Sequence, residues 1–282
     1  MRILITGRGT SGSWKIRAEQ LGAPIGATVR SDAPAECISA HDVSVLVKRP
    51  TAELVARLRA SGRPWIWDVV DSWPQPVGNE WGERQARDWM WSMVTRCQPS
   101  GIVAATPKMR ADLLSMDYHG RSICLPHHAR PGLSPRIIRE RVTTVVYEGG
   151  RQYLGRWSDE IHKQCRRRAW TFLINPPSLA DGDIVLAVRE QSGYPARHWK
   201  SAVKLVNAQA CGLPAICVPE NGYLSQASGA ELWAEAHSDL GGLFDQLEPF
   251  LERERIGKIM AARATTLSEV ARAYRPWLEQ FA

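Results

Sequence analysis

The hydrophobic pattern of this chain switches repeatedly between two periods. Short runs rich in Val, Ile and Leu alternate with longer stretches whose apolar positions recur at helical spacing, the pattern of parallel strands joined by crossover helices. In the first half, Ile3 to Thr6 reads as a strand and Ser13 to Leu21 as a helix, followed by a strand at Val43 to Val47 and a helix at Thr51 to Ser61. The alternation continues with strands at Trp65 to Val70, Gly101 to Ala105 and Ser122 to Leu125, and with helices at Glu80 to Arg96 and Pro107 to Leu114. Between His127 and Arg141 the pattern breaks into Pro131, Gly132, Pro135 and several arginines, a composition suited to a linker. It then resumes: strands at Thr143 to Tyr147, Thr171 to Ile174, Asp183 to Val188 and Ala215 to Val218, with helices near Ser158 to Arg168 and Ser201 to Ala210. The stretch from Ile256 to Phe281 is helical apart from Pro276. The expectation is two α/β domains, residues 1–130 and 143–282, joined by a linker at 131–142, with terminal helices packing across one or both.

Length and composition agree with this division. At 282 residues the chain is about right for two domains of roughly 150 residues. With 44% hydrophobic and 23% charged residues, it is neither a disordered chain nor a fibrous repeat. The formal charge is +7, from 36 basic and 29 acidic residues, and 29 of the basic residues are arginine. Arginine binds phosphate in a planar, two-pronged way, so this bias suits phosphorylated ligands or nucleic acid, although base composition of the coding sequence produces the same bias. The six cysteines are scattered, with neither paired nor zinc-like spacing. Met1 leads into a strand-like run, and the apolar runs are too short to cross a bilayer, so a cytoplasmic protein with no membrane anchor is expected.

Two segments carry candidate chemistry. Gly7-Arg8-Gly9-Thr10-Ser11-Gly12 is a GxGxxG run between a strand and a helix, where glycine lets the backbone approach a phosphate, and Asp32 stands near the place of a ribose-binding acid. It suits a dinucleotide, but a glycine turn that meets an acceptor or nothing is the commoner case. Lys200-Ser201 followed by Lys204 reads as the start of a helix that Gly212 closes, after which Pro214 leads into a strand. A helix start with Ser201 and two lysines suits a diphosphate, but a capping serine beside two solvated lysines has the same sequence.

The second segment, continued through Asn207-Ala-Gln-Ala-Cys-Gly-Leu-Pro-Ala-Ile216 and Pro219-Glu220-Asn-Gly-Tyr223, resembles the donor site of retaining GT-B glycosyltransferases. The similarity takes in the glycine turn after the first strand, Leu125-Pro126-His127-His128, and the Val145 to Gly150 opening of the second half. It departs from the family where paired glutamates are common, because the matching positions hold Trp199 and Asn207, and the chain is shorter than most members. The resemblance implies two Rossmann-like domains facing a cleft. It also implies a nucleotide-diphosphate sugar as co-substrate on the second domain, an acceptor on the first, and no tightly bound cofactor. No Asp-x-Asp metal motif is present. Gly149, Gly150, Arg151, Arg189, Lys200, Ser201, Lys204 and Glu220 are then donor-binding residues, while Gly9, Thr10, Ser11, Gly12, Trp14 and Trp73 meet the acceptor.

Asp71, at the end of a predicted strand among Trp65, Trp67 and Trp73, is the candidate base, with a pKa expected to rise through partial burial; a turn aspartate is the equal alternative. His127 and His128 end a neighbouring strand and could bind phosphate or accept the proton, a structural histidine pair being the commoner case. Seven tryptophans stand in the first domain: Trp14, Trp65, Trp67, Trp73, Trp81, Trp89 and Trp91. That domain also carries most of the positive charge. Aromatic faces beside arginine suit extruded bases, although core packing should claim at least half of them. The preferred acceptor is therefore a hydroxymethylated base in DNA, as in compact phage-type enzymes of this architecture. A polysaccharide, lipid-linked or small-molecule acceptor, an NAD(P)-dependent oxidoreductase and a non-catalytic nucleotide or DNA binder are the alternatives.

Overall fold

A computed structural model of the chain describes residues 1–190 and 193–282. The described residues divide into two compact units, and each has its own parallel sheet.

The first unit comprises Met1–His127, Gly193–Ser201 and Thr266–Ala282. Its strands are β1 (Ile3–Gly7), β2 (Ala27–Val29), β3 (Val43–Val47), β4 (Trp65–Asp68), β5 (Gly101–Ala104) and β6 (Arg121–Cys124). They pair in the order β2-β1-β3-β4-β5-β6, all parallel. Successive residues of a strand face opposite ways, and the unit uses both faces. Leu4, Leu46, Trp65, Trp67 and Ile102 pack with Leu54, Leu58, Met90, Val94 and Met109 of the helices Ala52–Ala60, Glu83–Cys97 and Pro107–Ser115. Ile3, Ile5, Val43, Val45, Ile66 and Val103 pack on the other face with Trp14, Ala18 and Leu21, and with Val270, Tyr274 and Leu278 of the helix Leu267–Leu278. A sheet covered on both faces needs continuous apolar strands, which is why β1, β3 and β4 are legible as uninterrupted runs. Thr51 and Thr106 end the preceding loops by accepting hydrogen bonds from the N–H groups of Leu54 (3.2 Å) and Met109 (3.0 Å).

Gly193–Ser201 joins this unit for a physical reason that is absent from its local sequence. Trp199 is fully buried, packs edge-on against Trp73 with ring centroids 6.0 Å apart, and donates its indole N–H to Asp112 Oδ2 at 2.8 Å. Tyr194 donates to the same carboxylate oxygen at 3.0 Å. A Cβ on Gly193 would lie 2.1 Å from the carbonyl oxygen of Asn79, so only glycine permits the approach.

The second unit comprises His128–Ser192 and Ala202–Thr265. Its strands are β7 (Thr144–Tyr147), β8 (Thr171–Ile174), β9 (Ile184–Ala187), β10 (Ala215–Cys217) and β11 (Leu232–Trp233), paired β11-β10-β9-β7-β8, again all parallel. One core gathers Val145, Tyr147, Ile184, Leu186 and Ile216 with Trp157 and Ile161 of the helix Arg156–Arg167, Leu205 and Val206 of Val203–Cys211, and Ile256 and Met260 of Phe250–Ala262. Residues 131–142, which read as a linker, lie within this unit. Arg253 is buried and donates to the carbonyls of Arg139 and Glu140, both at 2.8 Å, and to that of Leu247 at 2.8 Å, so the segment is hydrogen-bonded to the core. The helical stretch expected from Ile256 to Phe281 is two helices, Phe250–Ala262 and Leu267–Leu278, and the division between units falls between Thr265 and Thr266.

Candidate active site

Parallel α/β sheets bind ligands beyond the carboxyl ends of their strands, where the strand order reverses. In the first unit β2 lies on one side of β1 and all later strands on the other, so this point falls between β1 and β3. A cavity of about 140 Å³ opens there, lined by Arg8, Gly9, Thr10, Ser11 and Trp14 after β1 and by Val47, Lys48 and Arg49 at the end of β3. Ser11 Oγ accepts from the N–H of Trp14 at 3.1 Å and so starts the helix. Gly9 has φ +80°, and a Cβ there would lie 2.7 Å from Ser31 Cβ, whereas a Cβ on Gly12 meets nothing within 4 Å. The third glycine of a dinucleotide fingerprint serves close helix–strand packing, and Gly12 has no such duty. Asp32, the candidate ribose acid, is largely exposed and paired with Arg57.

Asp71 stands beside this cavity's Lys48. Lys48 Nζ is 2.8 Å from Asp71 Oδ1, Ser13 Oγ donates to Oδ1 at 3.1 Å, and Gln75 Nε2 donates to Oδ2 at 2.9 Å. The expected upward shift is not found. Burial pushes the carboxyl up, but Lys48, Gln75 and the charge of Lys200 outweigh it and hold Asp71 below its usual value. The acid that burial does raise is Asp68, pushed up to about 6, with the Arg17 guanidinium and the Val70 N–H offsetting only part of that rise. Arg17 and Asp68 form an ion pair at 3.5 Å that is shut off from water. Arg17 also donates to the carbonyls of Leu125 (2.5 Å) and Pro126 (3.2 Å) and lies 3.3 Å from His127 Nδ1. A guanidinium can only donate, so Nδ1 accepts and the imidazole proton sits on Nε2. His127 is buried; sequence reading missed the Arg17–Asp68 pair beneath it, although an arginine on the apolar face of Trp14, Ala18 and Leu21 was the available signal.

Most of the tryptophans are core. Trp65, Trp67 and Trp73 are buried, and Trp73 spends its N–H on Asn79 Oδ1 at 2.7 Å, so it offers no face to an acceptor. Trp14 is buried too, with its N–H on Glu19 Oε1 at 3.0 Å, and reaches the cavity only as part of its wall. Of the seven, Trp91 alone is classed as exposed. Four of the seven rings are therefore packed inside the unit, as the core-packing alternative expects, while Trp81 and Trp89 are half-buried.

In the second unit the strand order reverses between β7 and β9. Glu148 to Arg151 follow β7 and Arg189 follows β9, so these residues share the ligand-binding end. Arg189 is buried, with Nε 2.6 Å from Glu220 Oε1 beyond β10, and it donates to the Tyr223 hydroxyl at 2.9 Å. Burial works against its charge, but Glu220 and Tyr223 more than offset this and raise its pKa. Burial also raises Tyr223 and pushes Tyr147 up to about 12. Lys204 Nζ lies 5.1 Å from the centre of the Tyr147 ring, a cation–π contact. Gly149, with φ +148°, is clamped by Asn175, which accepts from its N–H at 2.7 Å and donates to its carbonyl at 3.0 Å. Gly150 follows in extended conformation, and Arg151 is exposed.

Three placements differ from expectation. The helix that was to begin at Ser201 begins at Val203, with Ala202 at its cap, so Ser201 does not cap it. Lys200 and Ser201 belong to the first unit and Lys204 to the second. His127 closes the first unit and His128 opens the second, where His128 Nδ1 donates to the carbonyl of Ala129 at 2.8 Å. The sequence reading also missed Glu148, which accepts from Arg130 and from Asn207 Nδ2, both at 2.9 Å. Among the described residues no group of three or more His, Cys, Asp or Glu could hold a metal ion. No described helix is long and apolar enough to cross a membrane.

Similarity to solved structures decides the fold. Anabaena HepE in complex with UDP-glucose matches with a TM-score of 0.71 over 99% of this chain and 100% of its own, at 11% identity. The fold is that of the GT-B glycosyltransferases. Sucrose-phosphate synthase from Thermosynechococcus elongatus shares it, with a TM-score of 0.69 over 99% of this chain and 98% of its own at 13% identity. So does a trehalose-6-phosphate synthase from Burkholderia multivorans, at 0.59 over 93% and 74%, with 10% identity. No family model matches the sequence. A curated relative, the urease accessory protein UreF of Magnetococcus marinus, is 36% identical over 84 residues, 28% of this chain and 35% of its own. The chain thus spans about a third of that relative, and the match leaves the GT-B fold as the finding that bears on the site.

Proposed function

We propose that this protein transfers a sugar from a nucleotide-diphosphate sugar to a hydroxyl acceptor. The observation that carries the reading is the gathering of Arg189, Glu220 and Tyr223 at the strand-order reversal of the second sheet, in a chain with the GT-B fold. Breaking the bond between the anomeric carbon and the diphosphate leaves negative charge on the departing phosphate. Fixed cations stabilise that charge without reorganising as it develops. Arg189 and Lys204 supply such cations on the second unit, Arg151 adds an exposed guanidinium, and the Gly149–Gly150 turn carries the backbone past the phosphates. Glu220 keeps Arg189 charged and in place, and a carboxylate there suits a sugar or ribose hydroxyl.

On the first unit, Asp71 acts as an ionised carboxylate. Lys48 keeps it charged at neutral pH, so it orients the acceptor hydroxyl by accepting its hydrogen bond; His128 is the further proton-accepting group, and His127, whose Nδ1 accepts from Arg17, donates from Nε2 instead. The turn at Gly9 to Gly12, with Trp14 behind it, bounds the acceptor. The test is a thermal-shift and turnover panel of UDP, UDP-glucose, other nucleotide sugars and NAD(P), repeated with Lys204→Ala. A nucleotide diphosphate should raise the melting temperature of the wild type and lose most of that effect in the variant. Stabilisation by NAD(P) alone overturns the reading. Hydroxymethylated DNA belongs in the acceptor arm beside small sugars and sugar phosphates, and its activity there decides the DNA proposal.

A further inference from the structure

We infer that the cavity at the β1/β3 end of the first unit is an anion subsite, and that the acceptor it takes is a small hydroxylated molecule carrying a phosphomonoester. Three cations line the cavity, Arg8, Lys48 and Arg49, and no carboxylate is among the lining residues. Lys48 is balanced by Asp71 at 2.8 Å. Among the described residues neither Arg8 nor Arg49 makes an ion pair, and the buried Arg49 Nε has no hydrogen-bond partner. A desolvated donor left without an acceptor is costly, and an anion seated in the cavity would supply one. The surplus of two positive charges matches a phosphomonoester, which carries about −1.5 to −2 near pH 7.

Size points the same way. The volume of about 140 Å³ corresponds to only a few water molecules at roughly 30 Å³ each. That suits one phosphate group and the carbon that bears it. The arginine fork adds specificity, because two parallel N–H groups fit two phosphate oxygens where a lysine offers a point charge. Lys48 ties this subsite to Asp71, so a phosphate seated against Arg8 and Arg49 would bring a hydroxyl of the same molecule toward the carboxylate. The word acceptor rests on the transferase reading above; the anion site does not.

The experiment is titration calorimetry on the full chain with UDP, and then on UDP-saturated protein with glucose 6-phosphate, glucose, glucuronate and inorganic phosphate. Wild type is compared with Arg8→Gln, Arg49→Gln and Arg49→Lys. Glucose 6-phosphate should bind, glucose should bind at least about tenfold more weakly, and each glutamine variant should lose about tenfold or more in affinity for the phosphate. UDP affinity should stay within about twofold. Arg49→Lys should recover part of the loss, and binding should tighten from pH 5 to pH 7 as the phosphate takes its second charge near pH 6. Equal binding of glucose and glucose 6-phosphate, or binding of the phosphate unchanged in both glutamine variants, overturns the anion site. Loss of UDP affinity in Arg8→Gln, whose side chain is exposed, assigns these cations to the donor and overturns it too. Binding of UDP without any phosphate binding sinks the subsite while the transferase reading stands. Phosphate binding lost in the variants with no affinity for any nucleotide leaves the anion site standing and sinks the transferase reading.

Discussion

At the ligand-binding end of the first sheet, Arg8 and Arg49 make no ion pair among the described residues and the Lys48–Asp71 pair is partly open to solvent, with side chains 18% and 26% exposed. At the corresponding end of the second sheet, Arg189 and Glu220 are 8% and 5% exposed, and Tyr223 completes the group. Both ends are built by the same strand-order reversal, yet Arg8 and Arg49 at one make no ion pair among the described residues, while the Arg189 side chain at the other is buried against Glu220. The difference has a physical origin. A buried guanidinium must be paired to persist in low dielectric, whereas a half-exposed one is stabilised by water until an anion replaces that water. The second end is thus pre-organised and the first adaptable.

The largest effect that can break this contrast comes from Arg189. Arg189→Met deprives the buried Glu220 carboxylate of its cation and should cost about 3–5 kcal/mol of folding stability, while Arg8→Gln should stay within about 0.5 kcal/mol. Urea denaturation of both variants measures it. Adding Glu220→Gln to Arg189→Met should restore part of the loss. Similar stabilities for Arg189→Met and Arg8→Gln would remove the distinction between the two ends.

A second test sharpens what lies beneath the adaptable end. Asp68 has its pKa pushed up to about 6 in the folded protein, above the ordinary carboxylate value of about 3.9. The folded state therefore holds this proton more tightly than the unfolded state. Its contribution is full below about pH 4 and falls as pH rises through about 6, by on the order of 3 kcal/mol. The stability difference between wild type and Asp68→Asn should drift in that direction across the window. A flat difference means that the Arg17 charge fully compensates the buried acid, and that the platform under His127 is fixed at all pH values.

These comparisons also show which features could be read from the chain. Val43–Val47 and Thr171–Ile174 were legible to the residue because strands of a parallel sheet leave apolar signatures over their full length. The helix Val203–Cys211 ends where Gly212 takes φ +60°, as the glycine predicted. The pairing of Arg189 with Glu220 was not legible, because they follow adjacent strands β9 and β10 and strand order is a tertiary property. Membership of Gly193–Ser201 in the first unit was equally hidden, since it depends on Trp199 finding Trp73 and Asp112. Tryptophan count left open which rings are core for a related reason. Composition records how many large rings a domain holds and cannot say that Trp65, Trp67 and Trp73 are needed inside it.

The smallest expected effect separates the two glycines that made the first turn look like a dinucleotide fingerprint. Gly9 adopts φ +80°, and its Cβ would press on Ser31 at 2.7 Å, so Gly9→Ala should cost about 1–3 kcal/mol and disturb the wall of the anion cavity. Gly12 has no positive φ and an open space around its missing Cβ. Gly12→Ala should be neutral, or stabilising by about 0.4–1 kcal/mol through the reduced freedom of the unfolded chain. Thermal melts of the two variants, each with and without glucose 6-phosphate, would check both claims at once. If Gly12→Ala weakened phosphate binding as much as Gly9→Ala, the ligand would have to approach the backbone at Gly12 itself. The turn would then be working as a phosphate-cradling loop rather than as a corner that only sets Arg8 in place.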